Sequence, residues 1–531
     1  MNIISFTQKY FKSKSILLLY VFLAIITGTL PLATNYILGS IIDSINTSSN
    51  ISNIYNLCYI FIGISIFMII AKAIKEILYT KLQVSVAFDM NKQALEHVKR
   101  LPISFFKNVD TIYLNQRINN DVNNIVTFFI NIISDTITNV FVIGITLFLL
   151  ISINKLIICI FILLIVFYIL LYTVMKKRIY DYNFKMQESQ SQLFSKLNEQ
   201  ISNVKFLKLH ILFDVLKDRL EKAYDSFLIT ALRKIKFGIS FNSIETIGTL
   251  LAQVVFIIIT ASAVINGKIT IGLFSVLIGY FFSLIGSLKY FIGIAEKYQE
   301  NLGSYNRIIQ ILNINKETNG DVILKDCNSI NIENLKFSYN ENLIFDNFNY
   351  TFKEGNTYCI TGQNGSGKST LINIICGLYV DEYIGQVSYN NIPIEDLNMY
   401  KLRKNLIGIS EQEPLLLDDS VLKNLTVNNK DFDKNFLERL IDIFDIRHIV
   451  NKVIEENINV SGGEKQKISI IRLLLKDPKI LIFDEPTSAL DKNSVNEFKK
   501  LVRSLQGDKI IIIITHDKNL LDLSDNVINI Q

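Results

Sequence analysis

Two short stretches and one histidine combine residue types that act on phosphate. GQNGSGKST (362–370) fits the pattern G-x-x-x-x-G-K-[ST] without a mismatch. A polyphosphate needs many donors at close range. Glycines let the backbone curl with its N–H groups inward, and a following helix offers a positive N-terminal end. Gly362, Asn364, Gly365, Ser366, Gly367 and Thr370 supply that cradle. Lys368 is expected to reach the β- and γ-phosphates and Ser369 to ligate Mg²⁺. In FDE (483–485), Asp484 is placed to hold Mg²⁺, directly or through water. Glu485, one residue on, can reach an attacking water as general base. Acids there could instead cap the next helix, but four apolar residues before them mark a buried strand end in a phosphate-loop domain. His516 follows the apolar run 510–514. Ligands sit at the carboxyl ends of strands in open α/β sheets, which favours contact with the γ-phosphate over an idle strand end.

The elements that must position these residues are readable nearby. NTYCITG (356–362) reads as a strand ending in glycine, and LINIICGL (371–378) as the helix after the loop. KILIFDE (479–485) and KIIIIITH (509–516) are continuous apolar runs of strand length, as expected for strands buried on both faces. Strands alternating with amphipathic helices predict an α/β phosphate-loop domain with a mainly parallel sheet, over residues 319–531.

The rest of the chain obeys different physics. Of 531 residues, 50% are hydrophobic and 19% charged, with mean hydropathy +0.32, which points to membrane spans. Residues 1–318 are expected to form an α-helical membrane domain. Six apolar stretches centre on 16–38, 56–76, 127–151, 156–175, 244–265 and 269–292, each near the ~20 residues that cross a bilayer core. Lys9, Lys12 and Lys14 precede the first; Lys81, Lys92, Lys99, Arg100, Lys107 and Arg117 separate the second from the third. Lys176, Lys177, Arg178, Lys205 and Lys208 lie between the fourth and fifth, whereas 44–53 has no such residue and the other alternate loops have only Lys155 and Lys268. The positive-inside rule then places both termini and the α/β domain in the cytosol, in a multi-pass protein of the cytoplasmic membrane. Segments 77–100 and 177–235 are almost free of Gly and Pro and predict long cytosolic helix extensions, although amphipathic connectors lying on the membrane have a similar pattern.

Composition excludes other classes. A net charge of +5 without a dense basic stripe argues against nucleic acid. Cys58, Cys159, Cys327, Cys359 and Cys376 are scattered without CxxC spacing and read as isolated buried thiols. The first span is too long for a removable signal peptide, and more spans follow it. Only a short tail precedes it, so no leader-cleaving protease domain is expected.

One stretch, VSGGEKQ (460–466), has no evident nucleophile or ligand set. The order phosphate loop, SGGxxQ, strand ending in DE, SALD (488–491), histidine resembles the ATP-binding-cassette (ABC) ATPases over residues 331–531. The order membrane half then cassette resembles the exporter half-transporters of that family. LPISFFKNVDTIYLNQRINNDV (101–122) and INGKITIGLF (265–274) are similar to segments of their membrane half. The resemblance implies ATP and Mg²⁺ as cofactors and assigns roles. Tyr339 is similar to the aromatic that stacks on adenine, and Gln412 to the glutamine that senses Mg²⁺ and joins the catalytic set. Glu455 resembles the acid of the exporters' crossover loop, and Asp491 the loop that communicates between sites. Ser461, Gly462 and Gly463 would contact the γ-phosphate held by a partner's loop, so a complete site needs a second half-transporter, as a homodimer or a heterodimer. Val460 and Glu464 stand where the family more often has Leu and Gln, and EENI (455–458) where "GERG" is usual.

The expected function is ATP-driven export of an amphipathic or hydrophobic substrate across the cytoplasmic membrane, with a bacteriocin-like peptide favoured. A lipid or multidrug exporter is the alternative, and an importer or an ATP-gated sensor a remote one. Phe105, Phe106, Phe206 and Leu207 are candidates to plug coupling segments into the cassettes, or ordinary loop hydrophobes buried locally. Lys72, Lys75 and Glu76 share one face of the second span, and Asp135 lies in the third. Intramembrane charges usually face a cavity or a partner, which makes these four the substrate-cavity candidates, unless the three in the second span simply pair at the cytosolic interface.

Overall fold

The computed structural model describes residues 3–530 apart from 48–50, 108, 110, 152–155, 428–431 and 456–458. Lys155 and most of EENI therefore lie outside the described residues. The chain divides into two units, Met1–Glu96 with Ile112–Asn313, and His97–Thr111 with Ile314–Gln531.

The first unit is helical. Its long helices are α1 (Lys14–Asn46), α2 (Ile51–Val98), α3 (Thr111–Ile151), α4 (Leu156–Ser202), α5 (Phe213–Ile265) and α6 (Ile271–Leu312). Among the described residues, α1, α2, α3, α5 and α6 contain stretches long and apolar enough to cross a membrane, and α4 contributes a shorter apolar stretch, Phe161–Met175. The first residues of the fourth expected span, 156–160, have no described side chains. At 53 residues, α5 would be about 80 Å long, against a hydrocarbon core of about 30 Å. Such a helix must continue well beyond the bilayer, as the lack of breakers in 177–235 led us to expect. The most apolar window of α2 is only 6% buried, with Ile60, Ile66, Phe67 and Ile70 pointing outward. That is unfavourable in water and natural against lipid.

Small residues and a few polar ties hold the helices together. A Cβ on Gly272 would lie 2.0 Å from the Gly39 carbonyl oxygen, so α1 and α6 approach at backbone distance. Asp43 on α1 accepts hydrogen bonds from the Thr270 hydroxyl (2.6 Å) and the Gly272 N–H (2.7 Å), capping the start of α6. Arg307 of α6 grips the buried Asp121 of α3 with two guanidinium nitrogens, and Lys289 of α6 pairs with Glu245 of α5 at 2.9 Å. Phe161, Phe256 and Phe281 stack into the apolar core that α4, α5 and α6 share.

The second unit is α/β. Its strands are β1 (Ser329–Tyr339), β2 (Asn342–Lys353), β3 (Thr357–Gly362), β4 (Ile384–Tyr389), β5 (Ile392–Pro393), β6 (Ile407–Ser410), β7 (Ile480–Asp484), β8 (Ile510–Ile514) and β9 (Asn526–Ile530). An antiparallel sheet runs β2-β1-β4-β5, and a parallel sheet runs β6-β7-β8-β3-β9. All five isoleucines of β8 are buried, as the continuous apolar run requires. The helices that matter for the site are α7 (Lys368–Ile375), α8 (Gly462–Lys476) and α9 (Lys492–Leu505). Residues His97–Thr111 belong to this unit: Ile103 packs on its core, and the Arg100 carbonyl accepts from the Glu317 N–H at 2.8 Å. Phe105 and Phe106 lie edge to face in the same segment, while in the helical unit Leu207 is buried and Phe206 exposed. Cys327, Cys359 and Cys376 are buried thiols, with burial pushing Cys376 up to about 12, and Cys58 is partly buried.

The Gly39–Gly272 approach gives a direct test. Gly272→Ala pushes a methyl into backbone that cannot yield and should cost about 1–3 kcal/mol. Gly63→Ala, where a Cβ meets nothing within 4 Å, should be neutral. Thermal unfolding of the two variants in detergent checks the contrast.

Candidate functional site

The parallel sheet brings three chain segments to one edge. Ile360 of β3 and Asp484 of β7 both pair with Ile514 of β8, so Gly362, Glu485 and His516 follow neighbouring strand ends. Gly362 has φ +153°, and a Cβ there would sit 2.2 Å from the Ile530 carbonyl oxygen. Gly365 (φ +83°) takes a left-handed conformation that favours glycine, and a Cβ there would meet nothing within 4 Å. Lys368, 8% exposed, donates to the Gly362 and Gln363 carbonyls, each at 2.9 Å. Ser366 Oγ is buried without a hydrogen-bond partner among the described residues. A buried polar atom without a partner costs stability, and anion-binding loops are one place where that cost is tolerated.

The acids meet the loop at the end of β7. Ser369 Oγ lies 3.4 Å from Asp484 Oδ2. Burial, reinforced by the Glu485 charge, pushes the Asp484 carboxyl above the usual carboxylate range, while Ser369 and Lys368 pull it down. Glu485 accepts from Gln412 Nε2 at 2.8 Å and lies 3.6 Å from His516 Nε2. Gln412 and His516 thus converge on the Glu485 carboxylate, bringing together the three residues that the sequence placed in one catalytic set. Glu485 itself has φ +45°, a left-handed conformation that a non-glycine residue adopts at a cost of about 1–3 kcal/mol. Nothing in the sequence signals that strain.

Tyr339 ends β1. Its hydroxyl is 3.1 Å from Thr370 Oγ1 and 3.2 Å from the Tyr379 hydroxyl. Lys107 Nζ sits 3.4 Å from the centre of its ring. Burial raises the Tyr339 phenol, but the bonds to Thr370, Tyr379 and Lys107 outweigh it and hold it below the ordinary value. Sequence reading gave Lys107 no part in the site: it is 232 positions away along the chain, in the segment 101–122 that resembles the membrane half.

VSGGEKQ opens α8. Ser461 is its N-cap and donates both its backbone N–H and its hydroxyl to Glu464 Oε2, each at 2.7 Å. The Glu464 N–H returns a bond to Ser461 Oγ at 3.3 Å, completing a capping box. Burial works against the Glu464 charge, but the Ser461 donors and His448 hold the carboxyl below its usual range. The spacing S-x-x-E was the available signal for this box. Gly462 is open on its Cβ side, whereas a Cβ on Gly463 would meet the Ala489 carbonyl oxygen at 2.7 Å. Among the described residues no hydrogen bond or ion pair links Ser461–Gly463 to the loop 362–370. Asp491 caps α9, accepting from Ser494 N (2.9 Å) and Oγ (2.8 Å), and pairs with Lys467 of α8 at 2.8 Å.

In the helical unit, Lys72, Lys75 and Asp135 line one cavity of about 420 Å³. Asp135 also lines a second, of about 690 Å³. Glu76 lines neither; its carboxylate lies 4.0 Å from Lys75 Nζ and is largely exposed.

A phosphate loop backed by paired acids, carried in one chain with membrane-length helices, is the build of a nucleotide hydrolase harnessed to a membrane. Residues 17–288 match the family described as "ABC transporter transmembrane region" and residues 345–488 match "ABC transporter". The chain belongs to the ABC transporter family; it is a multi-pass membrane half-transporter of the exporter type, an ATPase whose hydrolysis drives transport. Proteins of Staphylococcus aureus strains COL and MW2, each called "Putative multidrug export ATP-binding/permease protein", are 26% identical over 528 residues, 94% of this chain and 89% of theirs. The bovine strain RF122 has a protein of the same description, 26% identical over 526 residues, with the same coverage. The solved structure of a bacterial Atm1-family ABC exporter with ATP bound superposes with a TM-score of 0.83 at 18% identity, covering 96% of this chain and 93% of that one. It supports the fold.

Asp491 supplies a test of the α8–α9 connection. Its Lys467 partner, and after it the Ser494 cap bonds, hold its carboxyl well below the usual range, so its stabilisation is complete above the unfolded pKa near 4 and fades as pH falls. Asp491→Ala should cost about 1 kcal/mol of cassette stability at neutral pH. The gap from wild type in thermal unfolding should stay level from about pH 6 to 8 and shrink below about pH 4.

Proposed function

We propose that two copies of the chain join as a homodimer and use ATP to export an amphipathic, largely apolar compound from the cytosolic side. The convergence of Gln412 and His516 on Glu485, beside the Ser369–Asp484 contact, carries the hydrolytic part of this reading. Lys368 and the backbone of 362–367 bind the phosphates, Thr370 helps to fix the Tyr339 ring, and Tyr339 stacks on adenine. Glu485 takes the proton of the attacking water. Gln412 and His516 hold that carboxylate and the γ-phosphate in place.

The residues fit a magnesium ion. Asp484 and Glu485 are adjacent acids whose charges oppose each other, and a divalent cation relieves that opposition. Ser369, Asp484 and Gln412 would hold it. When bound, it neutralises phosphate charge.

The N-terminus of α8, with Ser461 and the open Gly462, supports a site shared between copies: helix N-termini favour anions, and among the described residues this one has no bond to its own phosphate loop. Exporter half-transporters generally dimerise. Orientation with both termini in the cytosol rests on the lysine and arginine bias. The relatives' multidrug description favours a hydrophobic, drug-like cargo; the peptide expected from sequence finds no specific support among them.

Glu485→Gln keeps shape and removes the base. It should leave ATP binding intact while turnover falls by about 10²-fold or more; near-normal turnover would sink the role. Sharing is tested in an enforced mixed dimer of Lys368→Ala and Ser461→Arg chains. Both changes should fall in one composite site and leave the other able to trap nucleotide. Loss of trapping at both sites would mean that each chain builds its site alone. Uptake into inside-out vesicles, against loss from them, checks the direction.

A further inference from the structure

Two cavities of the helical unit meet at one carboxylate, and their charges do not balance. The larger, about 690 Å³, is rich in carboxamides, including Asn123, Asn124, Asn131 and Asn301, with Lys297 and Arg307 as its cations. The smaller, about 420 Å³, is walled on its apolar side by Ala24, Gly28, Pro31, Met68 and Ile69, and carries Lys72 and Lys75. Asp135 lines both. Each volume falls in the ~300–1,000 Å³ range of small-molecule sites.

The pairing of these charges decides what the site takes. Arg307 is matched by Asp121, which lines neither cavity. Lys75 has Glu76 at 4.0 Å, the outer limit of an ion pair. Among the described residues, Lys72 and Lys297 have no acid within 4.0 Å, and Asp135 has no base within that distance. The nearest polar partner of the Asp135 carboxylate is Ser134 Oγ, at 3.5 Å. Lys75 lines the smaller cavity with Asp135, and Lys297 the larger. Unpaired charges within a membrane unit are costly unless water or a ligand meets them. Among the described residues, Lys72, Lys75 and Lys297 line the two cavities against Asp135, with Glu76 at the limit of reach of Lys75, so the described lining carries an excess of positive charge.

We propose that the site takes an anionic amphiphile: an acidic head, phosphate, sulfonate or carboxylate, between Lys75 and Lys297, with the tail along the apolar wall by Gly28 and Met68. Asp135 stands between the lysines and competes with the head for them. This names the substrate class of the exporter reading and rests on it. An organic cation would have the lone Asp135 as its anchor, with lysines on both sides opposing it. The shared chemistry fits a free amphiphile and an anionic membrane lipid alike.

The full chain in phosphatidylcholine nanodiscs supplies the test. ATPase activity is followed against dodecyl phosphate, dodecyltrimethylammonium and dodecyl maltoside, which share one tail, and the half-effect concentration is read for each. Dodecyl phosphate should act at a concentration about tenfold lower than the cation. Lys297→Gln and Lys75→Gln should each raise the dodecyl phosphate value several-fold and leave that of dodecyl maltoside in place, which also shows that the variants are folded. Asp135→Asn should lower it. A second arm replaces part of the phosphatidylcholine with phosphatidylglycerol: a change in activity without added compound assigns the acid to a lipid, and no change assigns it to a free amphiphile. The proposal is overturned if the cation acts at the lower concentration, or if Asp135→Asn weakens the anion. If the cation or the neutral compound acts and the anion does not, export of an amphiphile stands and only the charge assignment falls. If no amphiphile acts and sugars or free amino acids do, the exporter reading of the cargo falls with it.

Discussion

The cassette depends on burying a parallel sheet on both faces. With β8 made only of isoleucine and β7 buried up to Phe483, neither strand can slide or flip without exposing its side chains. The register is therefore fixed, and Ile514 stands beside both Ile360 and Asp484. The polar residues begin where that burial stops. Chemistry at this edge does not need long-range polar contacts to assemble it; the apolar strands deliver the loop, the acids and the histidine to one place.

That delivery leaves strain at the point of chemistry. The chain turns sharply after Asp484, and Glu485 takes the left-handed conformation while its N–H donates to the Ile514 carbonyl at 2.9 Å. The turn aims one acid at Ser369 and the other at Gln412 and His516. Two adjacent carboxylates would otherwise point to opposite sides of an extended strand. Burial first, and then the Glu485 charge that the same turn sets against it, raise Asp484, and the opposed pair is receptive to a cation.

What was legible in the sequence follows from how local each cause is. The phosphate loop was legible because glycines at fixed spacing dictate backbone shape, and the membrane helices because apolar length is additive along the chain. Contacts between distant segments were not. Asp43 caps α6 across 229 residues, and Gly39 meets Gly272 only once α1 lies against α6. Residues 97–111 sit between two membrane-length helices in sequence and yet pack with the cassette, through Ile103 and Arg100. Charges in the second and third spans were visible as oddities, but only the packing shows Lys75 and Asp135 facing one cavity with Glu76 turned away.

Two of the unforeseen contacts bear on how a nucleotide would be felt by the rest of the chain. Lys107 lies over the Tyr339 ring and belongs to the segment that follows α2; on the proposal that Tyr339 stacks on adenine, a base arriving on that face must displace it. Ser461 meanwhile gives its hydroxyl to Glu464, so a phosphate approaching the start of α8 must draw that donor away from an acid. A glutamine at position 464 could still accept the Ser461 bonds, but it would bring no charge. The acid therefore makes the cap stronger and the anion less welcome. On the shared-site reading, both contacts act in one direction: they hold the cassette with its own donors satisfied until ATP supplies better partners. The free energy of nucleotide binding is then spent partly on loosening Lys107 and Ser461, the first of which is joined directly to the helices that cross the membrane.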